Sequence, residues 1–376
     1  MPTLDELTRA VLAREDIARY IDGSQGQPGR AARERIAAYL EELRTTQRYS
    51  IYKALKHPLY PILRKIERIG ENVDVVKTAA RNGRVIYASN HKSHIDYLVE
   101  PLVLDDNGIR PPIIAAGINL FGGPLGLIHK YVTGAIPIRR NTKDPAYLIT
   151  LKAYVAETLR EHDLFFYPEG GRSYSGEIKN PKTGLMHAAL QADHPHMTIV
   201  PTAVAYDLVL EDHVLARQGV KRTQRPFSRE LAEMVRYAVG YRSRAFVTFG
   251  SPISTDGVDP TSRRAVLDLC HAVMTSVGRA YKVLPSALVA TAMRPSISRH
   301  DLEQRTHDIV ETLRSCGANL SVTSGEAAVE AALEPLEARG ILVVSGDRIR
   351  VRDRNVLRYY ARTLDHLLGS PSSRTH

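Results

Sequence analysis

Between residues 84 and 253 the chain alternates short β-type runs with longer helical ones, and that alternation limits the folds open to it. Strand candidates are 84–88, 113–116, 135–139, 164–168, 198–206 and 245–249, rich in β-branched and aromatic residues between turn formers. Apolar residues at helical spacing fill most of the gaps, notably 145–162. Such a chain packs as an α/β protein, with a mixed, mainly parallel sheet flanked by helices. Residues 208–243, polar and basic, read as an excursion over the surface.

The flanks differ in character. Residues 1–70 form an N-terminal helical region, with helical spacing over 4–21 and 31–43. Residues 48–70 interleave apolar residues with Lys53, Lys56, Arg64, Lys65 and Arg68. They read as a segment packed on the next domain, or as a basic amphipathic stretch on an anionic membrane surface. The α/β domain covers 71–295. Residues 296–376 form a C-terminal helical region like a winged helix: a helix at 325–338, then a hairpin at 341–352 with Arg348, Arg350 and Arg352 on one face. No arginine- or asparagine-rich recognition helix precedes the hairpin, so a packing subdomain is expected and nucleic acid is not.

With 376 residues, 43% hydrophobic, the chain can bury a substantial core, and its formal charge of +10 points to an acidic partner. Phosphorylated metabolites, anionic lipid headgroups, an acidic carrier protein and nucleic acid all qualify. Cys270 and Cys316 have no metal-ligand spacing and are expected as small buried residues of a reducing compartment. The acidic, amphipathic start does not resemble a signal peptide. The uncharged run 111–128 holds three prolines and four glycines, which argues against a membrane span. It reads as a strand, a turn and a short apolar helix.

The stretch YASNHKSHIDYLVEPL, 87–102, places a polar cluster at a strand-to-helix turn, where open α/β sheets bind ligands. Ser93 and Asp96 match a helix cap. His91 is not explained by a cap, and with Asp96 it suits a general base held in one tautomer by a carboxylate. Three further stretches carry chemistry. YVTGAIPIRRN ends a strand in Arg139 and Arg140, whose forks suit phosphate. FFYPEGGRS runs into Glu169, Gly170, Gly171 and Arg172, a tight turn with a cation. TIVPTAVAYD is an apolar strand broken by Pro201 that could wall an acyl channel.

Taken in order, His91-x4-Asp96, GAIPIRR, PEGGRS and IVPTAVAY resemble the glycerolipid acyltransferase family, nearest to its bacterial glycerol-3-phosphate and dihydroxyacetone-phosphate members. The likeness extends over roughly 84–293, with NVLRYYARTLDHLL, 355–368, as a later segment. The resemblance implies transfer of a fatty acyl group from coenzyme A or acyl carrier protein to the sn-1 hydroxyl of glycerol 3-phosphate. His91 would be the base and Asp96 its partner. Arg139, Arg140 and Arg172 would hold the acceptor phosphate, with Glu169 fixing the arginines and the N–H groups near Gly170 and Gly171 assisting. No metal or cofactor is implied, and the setting is the cytoplasmic face of the membrane. Tyr174 stands where the family often has a second basic residue, so Lys179 or Lys182 would supply that charge. Ile136-Pro137 replaces a more usual aromatic pair. Dihydroxyacetone phosphate and lysophosphatidate are the alternative acceptors. A basic lipid- or nucleic-acid-binding protein without catalysis is the reading from another class.

Overall fold

The computed structural model describes residues 4–23, 29–59, 65–192, 194–221 and 243–369. Its main sheet comprises β1 (Ile66–Glu71), β2 (Arg84–Ser89), β3 (Ile113–Gly117), β4 (Ala135–Ile138), β5 (Leu164–Phe166), β6 (Met197–Tyr206), β7 (Ser243–Phe249) and β8 (Ile253–Ser254). The spatial order is β1-β7-β6-β2-β5-β3-β4, with β8 beside β6. β6, β2, β5, β3 and β4 run parallel, and β7 returns antiparallel to β6. The mixed, mainly parallel sheet expected from the alternation is the one observed.

The two-residue period of a strand distributes its side chains between two cores. On β2, Val85 and Tyr87 enter the core shared with helices Val73–Asn82 and Asp96–Asp106. Ile86 and Ala88 enter the core shared with Gly29–Leu43, Pro145–Leu159 and Arg263–Ala280. Buried on both faces, β2 reads as a near-continuous apolar run, as interior parallel strands do. Helix starts follow local chemistry. Asp144 accepts from Ala146 N at 3.0 Å with Pro145 at the first helical position, and Ser262, Ser298 and Ser324 cap later helices.

Several elements differ from the sequence reading. The span 4–21 is two helices, Leu4–Leu12 and Glu15–Asp22. Residues 48–70 are not one amphipathic segment. Helix Tyr49–Leu59 turns Tyr52 into the core, residues 60–64 lie outside the described residues, and β1 starts at Ile66 and pairs in parallel with β7. The sheet therefore begins before residue 71. Of the surface excursion, 222–242 also lies outside the described residues, whereas 208–216 is largely buried. β6 is unbroken through Pro201, which pairs with Ala88 of β2 and whose carbonyl accepts from Gly250 N at 2.7 Å. Pro201 is thus a residue of an unbroken strand, packed beside Gly250. Pro137 sits on β4, an edge strand, where a missing N–H is tolerated. Cys270 is buried, and its thiol is pushed up to about 11 by burial; Cys316 is exposed, contrary to expectation.

In the C-terminal region, helices Arg299–Ser315 and Gly325–Ala338 precede the hairpin of β10 (Leu342–Ser345) and β11 (Arg348–Val351), and β9 (Ser296–Ser298) adds a third strand. Ile349 is buried while Arg348 and Arg350 face outward, the alternation expected of a half-covered strand. Leu302, Val329, Ile349, Val356 and Tyr360 share one core with Tyr97, Tyr206 and Phe249 of the α/β unit. No described helix is long and apolar enough to cross a membrane.

Candidate active site

β2 ends at Ser89, and Asn90 extends its grip on β6: its amide donates to Val204 O at 2.9 Å and accepts from Val204 N at 2.8 Å. The chain then turns through His91–Ile95 into helix Asp96–Asp106. In that turn His91 Nδ1 lies 2.9 Å from Asp96 Oδ2. The same oxygen accepts from Lys92 N at 2.6 Å and Ser93 N at 2.8 Å, and Oδ1 accepts from Tyr206 OH at 2.7 Å. The expected cap is rearranged. Asp96 ties down the preceding turn, while Ser93 Oγ donates to Glu211 at 2.8–2.9 Å and accepts from Ile95 N at 3.3 Å.

Burial sets the protonation of the pair. It lowers the His91 pKa well below the usual imidazole value, helped by Arg172, His94, Arg140 and Lys179. It also raises Asp96 to about 6, against the opposing N–H of Ser93 and hydroxyl of Tyr206. A neutral imidazole thus faces a carboxylate at neutral pH. A carboxylate only accepts, so the proton sits on Nδ1 and Nε2 is the basic nitrogen. The ring stacks on Tyr167, centroids 4.1 Å apart. Tyr167 OH donates to Glu100 Oε2 at 2.8 Å, and Ser89 Oγ donates to Glu100 Oε1. Burial and the nearby Asp96 charge hold the Glu100 carboxyl well above the ordinary glutamate range.

The third motif folds onto the same turn. Glu169 Oε1 accepts from His91 N at 3.0 Å and Oε2 from Lys179 N at 3.1 Å, and Ser173 N donates to His91 O at 2.9 Å. Glu169 therefore joins two backbone segments instead of fixing the arginines as expected. Gly170 takes a φ of +68°, which glycine adopts freely, and Lys182 lies over it: a methyl there would stand 2.7 Å from the Lys182 stem. Lys179 Nζ donates to the carbonyls of Gly171 and Arg172, the latter at 2.9 Å. Arg172 is buried, 3.6 Å from Glu211 Oε1, with its guanidinium 5.5 Å from the Tyr174 ring centre. Tyr174 thus holds the arginine instead of replacing a charge.

The two arginines that follow β4 part company. Arg140 lies against Gly117 and Gly171: a methyl at either would stand 2.9 Å from its Nη2 or 3.6 Å from its Nη1. Arg139 turns the other way, into an ion pair with Glu42 of helix Gly29–Leu43 and over the rings of Tyr39 and Tyr147. The chain bends at Arg140, just past the end of β4, and of the two side chains only that of Arg140 reaches the rim. Arg139 is accordingly withdrawn from the anion cluster. Arg140, Arg172, Lys179 and Lys182 gather round Gly170 and Gly171 beside His91. Lys92, Glu100, Tyr167, Tyr206 and Glu211 were not singled out in the sequence. Lys92 and Glu100 lie within the quoted 87–102 stretch, but nothing local marks Glu211. Among the described residues no group of acids, histidines or cysteines could hold a metal.

Residues 69–205, which carry the His91–Asp96 pair and the cations beside it, match the family model described as Acyltransferase. Across a longer stretch the chain is similar to glycerol-3-phosphate acyltransferases. That of Pasteurella multocida is 30% identical over 339 residues, 80% of this chain and 42% of its own length. That of Actinobacillus succinogenes is 31% identical over 338 residues, 80% of this chain and 41% of its own. The chain thus spans less than half the length of these relatives. A solved 1-acyl-sn-glycerophosphate (LPA) acyltransferase, PlsC, from Thermotoga maritima aligns over 72% of this chain and 92% of its own, at 14% identity and a TM-score of 0.34.

Proposed function

We propose that this chain transfers a fatty acyl group from a thioester donor to the sn-1 hydroxyl of glycerol 3-phosphate. The observation that carries the reading is the 2.9 Å contact between His91 Nδ1 and Asp96, set beside the cations Arg140, Arg172, Lys179 and Lys182. The cations hold the acceptor phosphate. A hydroxyl a few bonds away then lies near His91 Nε2, the proximity that makes the step effectively unimolecular. Nε2 takes the hydroxyl proton as the oxygen attacks the thioester carbonyl. The carbon–sulfur bond breaks, and the thiol leaves with the proton returned by the imidazolium. Asp96 stabilises the imidazolium throughout. The step forms no acyl-enzyme and needs no metal or cofactor.

Acyl-CoA and acyl carrier protein both fit as donors, each bringing phosphate to a basic chain. In this reading the reaction takes place at an anionic membrane surface on the cytoplasmic side, with helix Tyr49–Leu59 as one contact, and the exposed Ile51 and Lys53 on that helix support it. No nucleic acid takes part. Mass-spectrometric product detection tests the reading, offering glycerol 3-phosphate, dihydroxyacetone phosphate and lysophosphatidate with each donor. Monoacylated glycerol 3-phosphate is the expected product. Acylation of lysophosphatidate alone would reassign the acceptor, and no product with any pair would end the enzymatic reading.

A further inference from the structure

Lys92 follows the base directly, yet its side chain runs inward and is only 1% exposed. Its ammonium donates to the carbonyl of Gly176 and lies 5.2 Å from the ring centre of Tyr281. Burying a lysine is costly unless its charge is met. Here Glu169, Asp96 and Glu177 face it, with Lys179 and His366 as cationic or titratable neighbours. Gly176 is pinned from the other side as well. Its φ is +93°, and a methyl on it would fall 2.0 Å from Tyr359 O in helix Arg354–Arg362. Next to it, Glu177 pairs with Arg362 of the same helix and accepts from Ser175 Oγ at 2.7 Å. The loop thus held, Ser173–Glu177, begins immediately after Arg172, and its first residue donates to His91 O at 2.9 Å.

The C-terminal region holds the other side of the arginine too. Tyr360 OH donates to Asp212 at 2.7 Å, and Arg339 donates to Leu210 O and Asp212 Oδ1, each at 2.7 Å. Those contacts bracket Glu211, which receives Ser93 Oγ and lies 3.6 Å from Arg172.

We propose that Lys92 is a positioning residue for the acyl transfer: it ties the loop after Arg172 to the C-terminal helix and so sets that arginine against His91. The proposal deepens the functional reading above and rests on it. Lys92 touches no reacting atom. It acts through Gly176, while the Glu177–Arg362 pair fastens the same loop from the surface. The C-terminal helix thereby belongs to the catalytic unit.

The test uses the full chain with Lys92→Met, which keeps the stem and removes the charge, Lys92→Arg, and the singles and double of Glu177→Arg and Arg362→Glu. In Lys92→Met we expect amide exchange to speed up by about tenfold or more in 173–179 and not across the sheet. The KM for glycerol 3-phosphate should rise about tenfold, the loss of one well-placed charge contact, with the donor KM unchanged. Lys92→Arg should recover part of both effects, and the swapped pair should exchange more slowly than either single variant. Unchanged exchange in 173–179, or faster exchange spread over the whole chain with both KM values altered alike, would overturn the proposal. Exchange is read without substrate, so a wild-type chain that acylates no acceptor would end the functional reading while this measurement still decides the brace.

Discussion

His91 and Asp96 meet across 2.9 Å although five positions separate them, because the turn between them places the carboxylate at the first residue of a helix and folds it back. Asp96 is fully buried, and its two oxygens accept from His91, Lys92 N, Ser93 N and Tyr206 OH. Four donors thus hold one carboxylate. Occupation fixes the direction in which the imidazole points.

Removing the base should therefore be severe. His91→Ala should lower turnover by roughly 10²- to 10⁴-fold, the usual worth of a positioned general base. Asp96→Asn should cost at least about 10²-fold, since an amide favours the wrong tautomer and cannot stabilise the imidazolium. Steady-state kinetics on variants with unchanged circular dichroism checks both. A His91→Ala chain at near-normal turnover would sink the mechanism.

Activity should fall on acidification. Catalysis needs Asp96 ionised and His91 neutral; Asp96 is raised to about 6 by burial and His91 lowered, so the first added proton goes to the pair near that value. A profile of kcat/KM against pH should show an acid limb with an apparent pKa of about 6. A flat profile between about pH 5 and 8 would contradict the assignment.

The parting of Arg139 and Arg140 makes a sharp contrast. Arg140→Ala or Arg172→Ala should raise the acceptor KM about 10- to 150-fold, the loss of one charge-assisted hydrogen bond. Arg139→Ala removes a surface pair with Glu42 and should leave that KM within about twofold. Varying each substrate separately distinguishes the cases. A rise confined to the donor KM would mean that the cations read the donor.

Glu100 gives a stability test with a definite sign. Its folded pKa is raised well above the ordinary glutamate value of 4.5, chiefly by burial. The folded state therefore keeps a proton that the unfolded chain has released, and stability falls as pH rises from 4.5 towards the raised value. Glu100→Gln has no such proton to lose. Its melting temperature relative to wild type should climb from about pH 4 to pH 8. A difference that stays constant would show Glu100 ionised in the fold.

The local pattern of the sequence determined the alternating elements, the strand cores 84–88 and 113–116, the helix 325–338 and the hairpin after it. Each is specified by a period of 2 or 3.6 residues and by caps and turns within a few positions. It also determined the His91–Asp96 pair, whose spacing is short enough for one strand-to-helix connection to join, and the glycine turn that follows β5. Tertiary structure alone decided that Ile66–Glu71 is a strand, since its partner among the described residues, β7, comes some 170 residues later. The same holds for Arg139 turning to Glu42, Glu211 reaching Ser93 and Arg172, and Lys92 meeting Gly176 and Tyr281. Those contacts depend on where distant segments pack, and a side chain's neighbours in space leave no period in the chain that carries it.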